Sequence, residues 1–80
     1  MKDKRNIEMN VKKIIKRTLK LKTALINNNL SIGTIPEWDS LAHLNIFLEI
    51  KKKYKRLSLK SAANIRSVND WINLIIKIYK

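Results

Sequence analysis

The chain has 80 residues, with 18 Lys or Arg against 6 Asp or Glu and a formal charge of +12. That length fits one domain, residues 1–80, which buries only about 60% of the surface its unfolded chain exposes and leaves little room for both a core and an enclosed substrate pocket. With no cysteine and one histidine, His43, neither disulfides nor a structural metal site is expected, and no apolar run reaches the roughly 20 residues that span a bilayer.

The segment Met1-Lys2-Asp3-Lys4-Arg5 is basic, but no apolar stretch follows it. It is therefore not read as a signal peptide, and the cytoplasm is the default location. Residues 4–20 predict an amphipathic helix, because Ile7, Val11, Ile14, Ile15 and Leu19 recur at steps of three and four. Lys12, Lys13, Lys16, Arg17 and Lys20 fill the other face, and Asp3 stands where a carboxylate favours the helix dipole.

Residues 21–39 carry few helix signals. Asn27-Asn28-Asn29 favours turns, and Gly33 and Pro36, the lone glycine and proline, fall in the same stretch. Leu30, Ile32, Ile35 and Trp38 are spaced as if to pin a long loop onto the core. A loop of that length in a compact domain tends to be functional.

A second helix is expected over about 40–54, with Asp39 as its N-cap. Leu41, Leu44, Ile46, Phe47, Leu48, Ile50 and Tyr54 give it an apolar surface wider than one core face needs. Either it is buried on two sides or it keeps a patch for partners. Lys51-Lys52-Lys53-Tyr54-Lys55-Arg56 closes it, in part complementing the dipole. A short helical turn over 59–65 would face Ala62, Ala63 and Ile65 inward. A last helix over about 68–79 begins at a capping box, Ser67-Val68-Asn69-Asp70, and buries Val68, Trp71, Ile72, Ile75, Ile76 and Tyr79. The expected class is all-α: three main helices and one short one, with a long connection between the first two and no strand.

The chemistry concentrates in Ile35-Pro36-Glu37-Trp38-Asp39-Ser40-Leu41-Ala42-His43-Leu44. A loop ends, an aspartate caps and a serine opens a helix. Ser40 would then face water beside unpaired N–H groups and the positive end of the dipole, where a phosphate ester is favoured. On the Asp-Ser dipeptide alone, Ser40 reads as one more capping residue. The whole segment in its helical context favours a modified serine.

These residues resemble the acyl and peptidyl carrier protein family, whose signature is Asp-Ser-Leu, here Asp39-Ser40-Leu41. The fuller run Ile-Pro-x-Trp-Asp-Ser-Leu-Ala-His-Leu is similar to discrete carriers found beside adenylating or sugar- and lipid-modifying enzymes. The resemblance spans roughly residues 5–79. It implies an acyl-carrier-protein-like four-helix bundle, a monomer that catalyses nothing itself. A phosphopantetheinyl transferase would attach 4′-phosphopantetheine from coenzyme A to Ser40. An acyl- or aminoacyl-loading enzyme would charge the thiol as a thioester, and downstream acyl-processing enzymes would use it at high effective concentration. Within that resemblance Asp39 caps the helix and helps position the transferase's metal ion. Leu41 sits beside the arm, His43 contacts its phosphate, and Trp38 either shields the attachment point or anchors the loop. Leu44, Leu48, Lys51 and Lys52 are the expected partner-binding residues.

One departure stands out. Such carriers usually have an acidic second helix that basic patches on partners recognise; here that helix holds one acid, Glu49, and ends in lysines. Either the partners are acidic, or docking relies on Leu44, Leu48 and the loop. Asp39, Ser40 and His43 do not make a catalytic triad by nearness in sequence, because a triad is a matter of geometry. The competing function is a small basic helical nucleic-acid-binding protein, resting on the charge of +12. A helix-turn-helix reader needs a short turn and polar base-reading residues, and the second helix offers Leu44, Phe47 and Leu48 instead. A basic peripheral membrane module rests on the same charge. The abundance of Lys, Ile and Asn also follows from A- and T-rich codons, so charge alone assigns no partner.

Overall fold

The computed structural model describes residues 4–22 and 27–79. Four helices follow one another: α1 (Lys4–Leu19), α2 (Ser40–Lys53), α3 (Leu59–Ala62) and α4 (Val68–Ile78). Helix α1 packs against both α2 and α4, and α3 rests on α4. The radius of gyration is 11.5 Å, close to the roughly 12 Å of a compact chain of this length.

Each helix forms where its apolar period places it. In α1, Ile7, Val11, Ile14, Ile15 and Leu19 are all buried, as their spacing predicts. The helix stops at a Schellman turn. The Lys20 N–H donates to the Arg17 carbonyl at 3.2 Å and the Leu21 N–H to the Lys16 carbonyl at 3.1 Å. Lys20 itself is left-handed, with φ 57°, in the place glycine usually takes. The expected helix over 4–20 therefore ends one residue early, and the role expected of Asp3 lies outside the described residues.

Helix α4 opens at the expected capping box: Ser67 Oγ accepts from the Asp70 N–H, and the Asp70 carboxylate accepts from the Ser67 N–H. Val68, Trp71, Ile72 and Ile75 are its buried stripe, whereas Ile76 and Tyr79 are half-buried at its edge. Helix α3 is shorter than the expected 59–65. Only Ala62 is buried; Ile65 is half-buried, and Ala63 points outward because it already lies in the turn past the helix end.

The core joins all four helices and two anchors from the loops, Trp38 and Leu57. Removing one large side chain from a core of this kind costs about 2–5 kcal/mol, a large share of the roughly 5–15 kcal/mol that a domain holds in total. Tyr54 ends α2 inside the core, its hydroxyl accepting from Asn10 Nδ2 at 3.2 Å.

The connection from α1 to α2 is tied down by backbone pairing that the sequence does not announce. Ser31 and Ser67 form an isolated antiparallel bridge. The Ile32 N–H donates to the Arg66 carbonyl at 2.8 Å, and the Val68 N–H to the Leu30 carbonyl at 2.9 Å. Gly33, with φ 86°, turns the chain, and its N–H reaches the Trp38 carbonyl at 2.8 Å. Leu30, Ile32 and Ile35 pack part-buried against the core, as their spacing suggests. No strand occurs among the described residues, and no helix there is long and apolar enough to cross a membrane.

Candidate functional site

The loop delivers the chain to α2 through one buried side chain. Trp38 is completely buried. Its indole N–H donates to His43 Nδ1 at 2.9 Å, one helical turn further on. The His43 ring stacks on Trp38, with centroids 5.9 Å apart, and tilts against Trp71 at 5.5 Å. An indole N–H only donates, so Nδ1 must carry a lone pair and the ring is neutral, with its proton on the other nitrogen. Burial is the main cause holding the His43 pKa below its ordinary value. The Ile65 carbonyl opposes the shift, and the Arg66 charge adds to it.

With the loop fixed, Asp39 falls at the N-cap of α2 in extended conformation. Its Oδ1 accepts from the Ala42 N–H at 2.9 Å, and its carbonyl accepts from the His43 N–H at 2.9 Å. Ser40 is then the first residue of the helix, and it is exposed. At that position its own N–H and that of Leu41 have no intrahelical acceptor, so the hydroxyl stands among free donors at the positive end of the dipole. Leu41 lies beside it with 68% of its surface in water. Below Ser40 a groove of about 160 Å³ runs between α2 and α3, bounded by His43, Leu44, Phe47, Leu59 and Trp71. Chemically this is an exposed nucleophilic hydroxyl beside an anion-favouring helix start, above an apolar cleft. No group of acids, histidines or cysteines among the described residues is arranged to hold a metal ion.

Two expectations are narrowed. Trp38 faces inward and anchors the loop; with no exposed surface, it does not shield Ser40. His43 has Nδ1 committed to the Trp38 indole inside the fold, so only its other ring nitrogen is left to meet a phosphate on Ser40.

The broad apolar surface of α2 divides in two. Ile46, Phe47 and Ile50 are buried, while Leu41, Leu44 and Leu48 line the outer face at steps of three and four, starting next to Ser40. Of the two explanations open from sequence, the structure gives the exposed patch. Lys52 is exposed and pairs with Glu49 at 2.8 Å. Lys51 has a structural role, since its ammonium donates to the carbonyls of Leu57 and Lys55 and holds the turn after α2. Sequence reasoning misses that role, and it misses Leu59, which is 64% exposed at the groove's far wall. A lone leucine in a short polar turn carries no period to reveal its direction.

No family model, no curated protein and no solved structure matches the chain, so a functional reading has to be carried by this helix start.

Proposed function

We propose that the chain is a carrier protein of the acyl or peptidyl type, with an acyl-carrier-protein-like helical fold. It holds an acyl or aminoacyl group as a thioester on a 4′-phosphopantetheine arm esterified to Ser40. The observation that carries the reading is the exposed Ser40 at the first position of α2, directly behind the Asp39 cap, within Asp39-Ser40-Leu41. A phosphodiester formed there gains the free amides and the dipole of a helix start. The apolar groove below offers the arm and its cargo a partial shelter from water. The carrier performs no chemistry itself: a phosphopantetheinyl transferase loads the arm, and partner enzymes charge and consume the thioester.

The test is direct. The purified protein is incubated with coenzyme A and broad-specificity phosphopantetheinyl transferases, and its intact mass is measured. The expected result is a gain of one phosphopantetheine that disappears in Ser40→Ala. No gain with any of several transferases would overturn the reading. The nucleic-acid alternative has only the charge of +12 behind it, and the exposed face of α2 presents leucines where a base reader needs polar side chains.

A further inference from the structure

The C-terminal half of α2 and the end of α1 form a seam that includes Leu48 and Lys52, two of the residues expected to bind partners. Its wider opening, about 710 Å³, is bounded by Arg17, Thr18, Asn45, Leu48, Lys51 and Lys52. A second opening of about 330 Å³ shares Arg17, Glu49 and Lys52 with it and adds Lys13 and Lys53. The seam is thus rimmed by cations on both helices, with Leu48, 47% exposed, as its apolar wall. Its one acid is already neutralised. Glu49 accepts from Lys52 at 2.8 Å and lies 3.6 Å from Arg17, and the Lys52 hydrogen bond is the main cause holding its carboxyl below the usual range. Thr18 adds a buried hydroxyl with no partner among the described residues.

We propose that this seam docks an acidic segment of a partner protein, a helix or loop that presents carboxylates on either side of one apolar anchor. The anchor meets Leu48. The carboxylates meet Arg17, Lys52 and Lys53, none of them buried. The exposed leucine row runs from there through Leu44 to Leu41, and Ser40 lies about 18 Å along α2 from Lys52. A partner seated on the seam therefore has Ser40 within its own footprint; that last point rests on the carrier reading, while the docking itself does not.

Charge selects an anionic partner, and the side chains select protein among anionic partners. Single-stranded nucleic acid is held by exposed aromatic stacking platforms, and interfacial membrane helices bury a broad apolar face of Trp, Phe and Leu rather than a single narrow row. Here Trp38, Trp71, Phe47 and Tyr54 are buried and Tyr79 is half-buried. A narrow leucine row with a cationic rim matches the apolar centre and polar border of a protein interface.

The test uses the full-length, isotopically labelled protein and four probes. These are a synthetic helical peptide with one leucine between flanking glutamates, its lysine-for-glutamate counterpart, a DNA duplex, and phosphatidylserine-containing vesicles. The acidic peptide should move the amide signals of Thr18, Asn45, Leu48 and Lys52, and should bind more weakly as salt rises. Lys52→Glu combined with Lys53→Glu should weaken it about tenfold or more, the equivalent of about 1.4 kcal/mol. Lys51 is left intact because it holds the turn after α2. The inference is overturned if the shifts centre elsewhere, if the double reversal leaves affinity unchanged, if the lysine peptide binds as well, or if DNA or vesicles bind the seam more tightly. The peptide titration is run on unmodified protein and reads only the seam, so failure at the seam and failure of the mass test remain separate outcomes.

Discussion

Replacing His43 by phenylalanine tests how the loop holds Ser40 in place. The ring keeps its place between Trp38 and Trp71, but the acceptor for the Trp38 indole N–H is gone. That N–H belongs to a side chain with no exposed surface, so it is left buried and unpaired. Leaving such a donor unsatisfied costs about 1–3 kcal/mol. Trp38→Phe removes the donor instead, and the double variant removes both partners. A double-mutant cycle should give a coupling of about 1–2 kcal/mol between the two sites. The assay is urea unfolding followed by circular dichroism, which does not depend on the indole being altered. A coupling indistinguishable from zero would refute the claim that this bond fixes the loop.

His43 also makes stability depend on pH in a defined direction. Burial disfavours the charged ring, and the Arg66 charge adds to this, so the folded pKa lies below the ordinary 6.5. Between those two values the unfolded chain binds the extra proton and the native chain does not. The contribution is therefore complete above about pH 6.5 and is lost as pH falls through the folded value. His43 is the chain's only histidine, and Arg66 is the nearby charge that disfavours its protonation. Stability of the native chain should fall as pH drops below about 6.5, and His43→Phe should flatten that part of the profile. An unchanged slope in the variant would show that some other group titrates there.

Two further substitutions read the helix ends. Lys20→Gly should stabilise the fold by up to about 1 kcal/mol in urea unfolding, since glycine relieves the left-handed backbone at φ 57° and gives back only part of that in unfolded-chain entropy. Asp39→Ala should cost about 1 kcal/mol by removing the acceptor for the Ala42 N–H, whereas Asp39→Asn keeps the cap and should cost much less. If Asp39 also helps the transferase hold its metal ion, Asp39→Asn should slow Ser40 modification, measured as the rate of mass gain, despite its near-native stability.

What the sequence discloses follows from where the forces are local. Helix positions and most of the buried residues are legible, because Ile7 to Leu19 and Val68 to Ile75 repeat with the helical period and Asp39 and Ser67 announce helix starts. The exposed Ser40 is legible for the same reason, since a cap fixes which residue comes first. The Ser31–Ser67 bridge is not legible, because it joins distant segments by backbone groups that every residue carries. The direction of His43 is not legible either. Its three-residue step from Ser40 places it on the same helical face but says nothing of Trp38, whose inward fold decides where the imidazole points. Lys51 reads from sequence as one more exposed partner-binding cation for a similar reason: the carbonyls it serves belong to a turn whose path the α2 sequence does not encode.

The division of labour at the start of α2 yields the most discriminating measurement on Ser40. Three residues around it have structural work: Trp38 fills the core, Asp39 Oδ1 takes the Ala42 N–H, and His43 accepts from Trp38. Ser40 is exposed, and the Asp39 side chain already supplies the cap. If the serine were there to hold the helix, Ser40→Ala would cost about 1 kcal/mol, as lost caps do. If it is there to be modified, the substitution costs the fold nothing, and alanine's better helix propensity gives a change of about 0 to +0.5 kcal/mol in favour of the variant. Urea unfolding of unmodified native protein and of Ser40→Ala separates the two. Loss of about 1 kcal/mol in the variant would assign the hydroxyl to the cap and remove the reason for reading it as an attachment point.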